Sequence, residues 1–499
     1  MFYPNTLNLK QISYKRKQYA AFSGLNADCD ENLLPVKYSQ LTYNFDFSDG
    51  SLKDGMGINV LKFKTSQVDD SYRTFTTAGD GSNFVACWLF TAWAKDTKIH
   101  RAFLIFYTSF GDFYYNRLHG QSDELVKIDG LNFKEKPIVT SYKLNGEDTL
   151  ILVSNQDGMY TWRFPNIVNK IEDVPSIRSM CIHNERLFVT THGDKRFVLF
   201  SDDLNPTNFN VSSREGGFIE MADDFGKSNK VVSFEGYLYV IRDFNIARIV
   251  AYADQSEFSV SQLYVSNGII YDKTVCVCGN KIIYLASDGL YVFNGTSASR
   301  INLNINKLFK NVDNFRAVST YSNGCYYLSC KLNYLDNVVV EDEHNRQSNN
   351  ALIRLNVSTG EITILRGYDI VDLFVINDVY ENKVCALVEE KTGGFTLGMI
   401  DDSGKYFNKN LIKVWNSPMS DFGYPEKEKL LKEITVETRK EIDIEVKTEK
   451  ESKIIKVKGS TMPQTIKSLI KGKKISINFI SNECDNYISN PYITVGILW

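Results

Sequence analysis

The 499-residue sequence predicts an all-β protein, and a recurring hairpin is the first observation that supports this class. The hairpin occurs at residues 154–164 (SNQDGMYTWRF) and again at residues 286–295 (ASDGLYVFNG). In both places an Asp-Gly pair precedes an alternating aromatic strand, and such pairs predict tight turns in which both residues have positive φ. Aromatic residues form 13% of the chain and favour strands. A hairpin that recurs in a β-rich chain predicts a repeated sheet unit.

Short strands follow one another in groups from residue 84 onward, with little sign of helix. Each group contains three or four alternating segments joined by tight turns such as Asn184-Glu185 and Glu235-Gly236. The groups begin near residues 84, 137, 177, 231, 275, 315 and 371. Their spacing is close to the roughly 40–50 residues of a four-stranded propeller blade. The sequence therefore predicts a β-propeller of about seven blades, with six or eight as alternatives.

The regions on either side of these groups differ in composition. Residues 1–60 are predicted to form an N-terminal arm and hairpin, residues 61–410 the propeller, and residues 411–499 a C-terminal antiparallel β-sandwich with alternating Lys, Glu, Ile and Val. The strand at residues 41–47 is predicted to close the ring by joining the last blade. The polar insertion at residues 337–350 is predicted to form a projecting loop.

Charge and cysteine content narrow the functional classes. A net charge of −3 argues against a strongly basic nucleic-acid surface. The chain has nine cysteines without repeated spacing, which favours reduced thiols and assembly in a reducing cytoplasm. Cys276 and Cys278 lie two residues apart on a strand, so their side chains should point to the same face. Residues 1–20 lack the apolar core of a secretory leader, and the longest apolar stretch is too short for a membrane span.

The usual catalytic signatures are missing from the sequence. It contains no phosphate loop, dinucleotide-binding loop, zinc-protease motif or nucleophile elbow. His183 and His192 flank one hairpin and could meet across it, although a packed pair is favoured over a zinc site. Asp157 lies in a shifted version of the sialidase Asp-box, which is a structural hairpin, and Asp288 lies in the second copy. We therefore predict a protein that is not an enzyme and that has no catalytic, cofactor-binding or metal-binding residues.

Several short segments resemble bacteriophage tail and neck proteins, in particular the tail nozzle or tubular components of short-tailed phages. These segments are residues 22–26 (FSGLN), 33–35 (LLP), 43–46 (YNFD), 50–53 (GSLK), 182–188 (IHNERLF), 199–202 (LFSD), 205–209 (NPTNF) and 287–295 (SDGLYVFNG). The resemblance implies a virion structural protein of the tail, assembled in the host cytoplasm. It implies a homo-oligomeric ring, expected to be a hexamer, in contact with other tail and neck proteins. DNA would pass through its lumen during genome ejection without sequence-specific binding.

Two other functional classes remain open from the sequence. One is a carbohydrate-binding or glycan-processing propeller of the tail tip, which predicts a pocket with an exposed Trp or Tyr and converging carboxylates. The other is a cellular propeller scaffold for protein partners, which predicts a monomer without a ring-forming platform.

Overall fold

A computed structural model provides the description of the chain. It describes residues 12–19, 21–66, 71–94, 98–120, 122, 124–212, 216–252, 254–334, 348–489 and 491–498. The predicted projecting loop at residues 337–350 lies outside the described residues up to residue 347.

Short strands precede the repeated region and contribute to several different sheets. They are β1 (Ile12–Gln18), β2 (Gly24–Leu25), β3 (Tyr38–Ser39), β4 (Leu41–Tyr43), β5 (Phe45–Asp46), β6 (Leu52–Asp54), β7 (Gly57–Asn59), β8 (Leu61–Lys64) and β9 (Tyr72–Phe75).

The repeated region forms seven antiparallel sheets of consecutive strands, which we number as blades 1 to 7. Blade 1 contains β10 (Phe84–Ala94), β11 (Ile99–Thr108), β12 (Asp112–Arg117) and β13 (Val126–Asn132), and blade 2 contains β14 (Ile138–Leu144), β15 (Glu147–Ser154), β16 (Gly158–Arg163) and β17 (Ile167–Ile171). Blade 3 contains β18 (Ile177–His183), β19 (Arg186–Thr191), β20 (Phe197–Phe200) and β21 (Gly217–Glu220), and blade 4 contains β22 (Ser228–Phe234), β23 (Tyr237–Arg242), β24 (Asn245–Val250) and β25 (Ser259–Val265). Blade 5 contains β26 (Cys276–Val277), β27 (Ile282–Ala286), β28 (Gly289–Phe293) and β29 (Ala298–Arg300), blade 6 contains β30 (Val318–Ser322), β31 (Cys325–Cys330), β32 (Ala351–Asn356) and β33 (Ile362–Arg366), and blade 7 contains β34 (Asp369–Asn377), β35 (Asn382–Glu389) and β36 (Phe395–Asp401).

The ring is closed by a strand from the N-terminal region. β7 pairs antiparallel with β36, with Ile58 opposite Ile400, and so supplies the fourth strand of blade 7. The rings of Trp88 on β10 and Phe374 on β34 lie 6.0 Å apart, which places the first blade against the last. These sheets confirm the predicted all-β propeller. The strand chosen for closure was wrong, because residues 41–46 form β4 and β5 and pair within the C-terminal region instead.

Each blade packs against one neighbouring blade on each of its two faces. The second strand of a blade is therefore apolar on both faces. Residues 150–153 of β15 are apolar at every position and are all buried. A strand that is buried on both faces is apolar throughout, whereas a strand with one wet face alternates. The apolar runs in the middle of each group therefore mark the second strands.

The turns within the blades have the predicted positive φ at both turn residues only in part. Asn184 and Glu185 have φ of 44° and 69°, and Glu235 and Gly236 have φ of 47° and 78°. Two-residue turns with positive φ at both positions match the twist of the flanking strands. In contrast, Asp157-Gly158 lies between the second and third strands of blade 2 and has a positive φ only at Gly158. Ser154 pairs with Gly158, so the connection is a three-residue loop and Asp157-Gly158 is not a two-residue turn. The expectation of positive φ at both residues of the Asp-Gly turns was wrong.

The C-terminal region is a sandwich of two sheets. Its strands follow β37 (Lys405–Tyr406) and β38 (Lys409–Asn410), which extend blade 7, and are β39 (Lys413–Asn416), β40 (Glu428–Thr438), β41 (Ile442–Thr448), β42 (Ser452–Val457), β43 (Ser460–Gly472), β44 (Ile475–Ser481), β45 (Tyr487–Ile488) and β46 (Tyr492–Leu498). One sheet contains β1, β46, β40, β43, β45, β6 and β5, and the other contains β4, β39, β44, β41 and β42. Along β41 the buried residues Ile442, Ile444 and Val446 alternate with more exposed polar residues, so one face packs in the core.

The N-terminal arm therefore belongs to the sandwich as well as to the propeller. The division into residues 1–60, 61–410 and 411–499 as separate units stays a prediction. The described helical turns are short 3-10 segments at Gln255–Glu257, Asp272–Thr274 and Asn306–Phe309. Within the described part of the chain, no helix has the length and apolar character that crossing a membrane requires.

Candidate functional site: a cleft between the first two blades

The histidines considered for a metal site are held apart by a strand. His183 ends β18, and its ring nitrogen Nδ1 lies 2.8 Å from Ser233 Oγ, while burial lowers its pKa and favours the neutral ring. His192 follows β19 at the opposite end of the same hairpin. The two side chains therefore do not meet. Across the residues that the structure describes, no three His, Cys, Asp or Glu side chains form a group that could hold a metal ion.

The two aspartates of the recurring hairpin make local hydrogen bonds. Ser154 Oγ donates a hydrogen bond of 2.7 Å to Asp157 Oδ2, and the backbone N–H of Lys134 donates to the same carboxylate at 3.1 Å. Asp157 thereby fixes the loop between blades 1 and 2. Asp288 accepts a hydrogen bond of 2.6 Å from the Tyr291 hydroxyl. Both carboxylates are engaged in local structure.

A cleft between blades 1 and 2 gathers exposed aromatic and charged side chains. It has a volume of about 300 Å³ and lies beside the end of the β10–β11 hairpin. Its lining residues come from both blades and are Ala92, Trp93, Ala94, Arg101, Phe103, Gly146, Glu147, Asp148, Arg163, Phe164 and Ile167. We call this site the blade 1–2 cleft.

Trp93 is the most prominent side chain of the blade 1–2 cleft. It lies on β10 opposite His100 on β11, and the two rings meet edge to face at 4.9 Å. Its backbone N–H donates a hydrogen bond of 2.7 Å to Asp148 Oδ2 at the start of β15. This bond ties the blade 1 hairpin to blade 2. The Trp93 side chain nevertheless remains 42% exposed.

The floor of the cleft is a rigid aromatic stack. The rings of Phe103 and Phe164 are stacked at 4.8 Å, and the Arg101 guanidinium lies 5.9 Å from the centre of the Phe164 ring. Below them Trp162 is fully buried, and its ring lies 5.5 Å from that of Tyr115. Closely packed rings hold their geometry well, so the cleft is preformed.

The rim combines paired charges with apolar side chains. Arg163 Nη1 donates to Glu147 Oε2 at 2.6 Å, so this carboxylate is engaged in an ion pair. The Asp148 carboxylate is engaged by the Trp93 N–H. Ile99 and Ile167 are about half exposed at 49% and 46%. The surface is therefore amphipathic and electrically balanced, which suits binding more than acid–base chemistry.

The sequence patterns did not mark Trp93, Arg163 or Phe164 as candidate functional residues. Trp93 belongs to a long apolar stretch and had the pattern of a core residue. One signal was present, because β10 has 11 residues whereas its counterpart β14 in blade 2 has 7. A first strand that is longer than its counterparts extends beyond the sheet, and its last residues become surface.

No protein-family model matches the chain. No curated protein sequence matches it. Among solved structures, the chain is similar to BBS1N in complex with ARL6DN, soaked with lead, at 10% identity and a TM-score of 0.41 over 72% of this chain and 97% of that chain. A second crystal of BBS1N in complex with ARL6DN, soaked with mercury, matches at 10% identity and a TM-score of 0.39 over 65% of this chain and 93% of that chain.

These findings correct the identification as a bacteriophage tail or neck protein, because the solved structures that the chain is similar to are of BBS1N in complex with ARL6DN. The expectations that depended on it were wrong as well: the hexameric homo-oligomeric ring, the tail and neck partners, the passage of DNA, genome ejection and the virion location. The segments that suggested the family form short strands and local turns of this fold. In residues 205–209, for example, the Thr207 hydroxyl donates a hydrogen bond of 2.8 Å to Asn205 Oδ1.

Proposed function

We propose that this chain is a β-propeller scaffold that binds a protein partner through the blade 1–2 cleft and catalyses no reaction. The observation that carries the proposal is Trp93, a large aromatic side chain that is 42% exposed although its backbone is fixed by Asp148. The exposed part of the Trp93 ring contributes nothing to the hydrophobic stabilisation of the fold. A partner that covers the ring would gain from its burial.

The composition of the cleft agrees with what is known of protein interfaces. Tryptophan and arginine are enriched among the residues that contribute most to binding, and they act best in preformed, desolvated pockets. The stack of Phe103 and Phe164 supplies such a rigid support. The flanking Ile99 and Ile167 would exclude water from the contact, and the Arg163–Glu147 pair would form its polar rim.

The engagement of both carboxylates supports binding over catalysis. A glycosidase requires two carboxyl groups that are free to act as acid, base or nucleophile. Here Glu147 is paired with Arg163, and Asp148 accepts the Trp93 N–H. Both groups hold the cleft together.

Site-specific photo-crosslinking in the source cells tests the proposal. A photoreactive phenylalanine derivative replaces Trp93 in one variant and Phe110 in a matched control, and Phe110 is a 69% exposed aromatic at the opposite end of β11. We expect one defined protein to be crosslinked from position 93 and not from position 110. With that partner purified, Trp93→Ala should weaken binding by about 30-fold, since a hot-spot residue contributes about 2 kcal/mol, and Phe110→Ala should leave it unchanged. The same proteins at both positions, or equal affinities, would contradict the proposal.

Glycan binding is a second candidate, favoured by the exposed Trp93 ring beside polar side chains. A sugar ring can stack on such a face while hydroxyl groups bond to the rim. Binding of the full-length chain to a panel of immobilised neutral and acidic oligosaccharides distinguishes the two. Binding that is lost in Trp93→Ala, without a crosslinked protein at position 93, would replace the protein-partner proposal.

A further inference from the structure

The strand β1 forms an open edge of one sheet of the sandwich. It pairs antiparallel with β46 along its whole length, from Ile12 opposite Leu498 to Gln18 opposite Tyr492. Among the described residues, no strand pairs with its other side. Every residue of β1 is exposed, so the second sheet covers neither face of this strand. We call this free side the β1 edge, and it is accessible to another chain.

The β1 edge presents backbone groups at every second residue. In an antiparallel pair, alternate residues direct both N–H and C=O to the partner strand, and the residues between them direct these groups away. The N–H of Tyr19 donates a hydrogen bond of 2.7 Å to the carbonyl oxygen of Pro491, next to β46. The odd-numbered residues of β1 therefore bond to β46. The even-numbered residues, among them Tyr14, Arg16 and Gln18, direct their N–H and C=O groups to the β1 edge.

The side chains of β1 make this edge basic. Lys15, Arg16 and Lys17 are consecutive, so their positive charges lie on both faces of the strand. Lys15 Nζ donates a hydrogen bond of 2.7 Å to the Tyr424 hydroxyl, and the Arg16 guanidinium lies 5.5 Å from the centre of the Tyr492 ring. Within the described part of the chain, no carboxylate forms an ion pair with any of the three. Their charges are available to a partner.

A cavity of about 510 Å³ adjoins the end of the β1 edge. Lys17 and Tyr19 line one side of it, and Leu33, which is 77% exposed, lines another. The ring of Phe422, also in the lining, lies 6.4 Å from that of Tyr19. Neighbouring strands lie about 4.8 Å apart, so a side chain of an added strand beside Lys17 would reach this cavity.

The carboxylates around the cavity are engaged by backbone groups. Asp421 Oδ1 accepts the N–H of Gly423 at 2.7 Å, and Glu31 Oε1 accepts the N–H of Met419 at 3.2 Å.

The lysines of β1 make the electrostatic potential at this place positive. The hydrogen bond from Lys15, and the charges of Lys15 and Lys17, lower the pKa of the Tyr424 hydroxyl. The β1 edge and its cavity therefore combine free backbone groups, apolar surface and positive charge.

We propose that the β1 edge binds an extended acidic segment of a partner protein as an added strand, with one apolar side chain of that segment in the adjoining cavity. In strand addition, main-chain hydrogen bonds provide affinity, and pockets for alternate side chains provide specificity. The charge of the edge selects the occupant. A second copy of β1 would place Lys and Arg opposite Lys and Arg, and like charges directly opposite destabilise a strand pair, whereas Glu or Asp stabilise it.

Two synthetic peptides test the charge selection on the full-length protein, one of alternating Leu and Glu and one of alternating Leu and Lys. We expect the Leu-Glu peptide to bind at least tenfold more tightly than the Leu-Lys peptide, and added salt to weaken its binding. The double variant Lys15→Glu, Lys17→Glu should weaken it at least tenfold. The matched control is Lys456→Glu, Lys458→Glu at β42, the open edge of the other sheet, and it should change the affinity less than twofold.

Hydrogen exchange of single amides tests the added strand itself. Without peptide, the amides of Arg16 and Gln18 should exchange faster than those of Lys15 and Lys17, which bond to β46. The bound Leu-Glu peptide should slow exchange at Arg16 and Gln18 at least tenfold. Leu33→Ser should weaken binding roughly threefold through the cavity. No binding of the Leu-Glu peptide, equal binding of the Leu-Lys peptide, equal losses in both double variants, or unchanged exchange at Arg16 and Gln18 would overturn the proposal.

Discussion

The propeller and the sandwich are both antiparallel β structures, but they are assembled from the chain in opposite ways. Every blade from 1 to 6 consists of four consecutive strands, so its hydrogen bonds join neighbours in sequence. The sandwich combines strands from the two ends of the chain, with Thr42 opposite Trp415 and Tyr14 opposite Gly496. The propeller is thus a series of local units, whereas the sandwich depends on contacts between distant segments.

Because of this difference, we expect the propeller and the sandwich to respond differently to changes in the N-terminal arm. Sheets built from distant segments require a larger loss of chain entropy before their contacts form. The core of the sandwich shows the dependence directly, because the ring of Trp415 lies 5.0 Å from that of Phe22 and 5.5 Å from that of Phe47. The arm supplies part of the sandwich core and also packs Leu25, Ala27 and Tyr43 into the core of blades 5 and 6. The core clusters that contain blades 1 to 4 include no arm residue.

The largest expected effect comes from removing the arm. A variant that begins at Gly55 lacks β1–β6 but keeps β7, which completes blade 7. We expect β40–β46 to lose their protection from hydrogen exchange and β10–β25 of blades 1 to 4 to keep it, because the sandwich loses core and strand partners whereas the cores of these blades contain no arm residue. A complementary variant that ends at Leu411 should also retain the protected propeller. Full protection of β40–β46 in the first variant would show that the sandwich is independent of the arm.

Two buried tryptophans allow a matched comparison of the two cores. Trp415 in the sandwich and Trp162 in the propeller are both 0% exposed and packed against other rings. Each Trp→Ala substitution should lower the free energy of unfolding by about 3–5 kcal/mol. In calorimetry, Trp415→Ala should shift the transition of the sandwich and Trp162→Ala that of the propeller. A single transition that both substitutions shift equally would mean that the two regions unfold together.

Asn44 connects the two regions and should show an intermediate effect. Its Nδ2 donates to Ile412 O at 2.8 Å, and its Oδ1 accepts the backbone N–H of Arg366 in blade 6 at 2.9 Å. It is buried and has a φ of 61°. Asn44→Ala should cost about 2–4 kcal/mol in the free energy of unfolding, from two lost buried hydrogen bonds and a left-handed backbone.

The control for this prediction is Asn44→Gly, which tolerates the same backbone conformation and removes only the side-chain bonds. We expect its cost, from denaturant titration, to lie below that of Asn44→Ala by about 1 kcal/mol. If the two variants were equally stable, the backbone at residue 44 would carry no strain.

The smallest expected effect on the free energy of unfolding appears only at alkaline pH. Burial raises the pKa of Tyr19, in the sandwich, from 10.0 to about 12. Above pH 10 the unfolded chain releases this proton before the folded one, so stability falls as pH rises from about 10 to 12. A shift of this size corresponds to a loss of about 2–3 kcal/mol. In Tyr19→Phe this loss should be absent from the sandwich transition at pH 11–12, and an unchanged pH dependence would contradict the assignment.

The pKa of Tyr107 in blade 1 is also raised to about 12, with burial as the main cause. Tyr107→Phe is therefore the matched variant for the propeller. It should reduce the alkaline loss of the propeller transition and leave that of the sandwich unchanged.

The same contrast explains how much of the fold was predictable from sequence. Strands such as β15 and β27 are apolar runs between turns, and their pairing partners are the adjacent strands, so local pattern was sufficient to predict the blades. β7 has three residues, and its side chain Asn59 bonds to Asp401 across 342 positions of sequence. A strand of three residues is too short to show a hydrophobic periodicity. Its neighbouring residues also give no sign that it pairs with the edge of β36. For that reason the ring closure was assigned to the wrong strand.

The candidate site was harder to predict than the fold. Trp93 has the same local pattern as a core residue, because exposure depends on how far the β10–β11 hairpin extends past blade 2. The stack of Phe103 and Phe164 joins two blades that are separate in sequence. In contrast, spacing alone was sufficient to predict that Cys276 and Cys278 lie on the same side, and Cys278 belongs to a core cluster against which Cys276 packs.

The pairing of β7 with β36 also sets an order of events on the ribosome. Asn59 is synthesised early, but its partner Asp401 is added 342 residues later. At the usual elongation rates this interval lasts on the order of 20–70 s. During that time the edge of the nascent β7 segment has no pairing partner. Blades 1 to 6 can form before β36 pairs with β7 and closes the ring. Nascent chains stalled before residue 395 should therefore present an open arc of blades to chaperones.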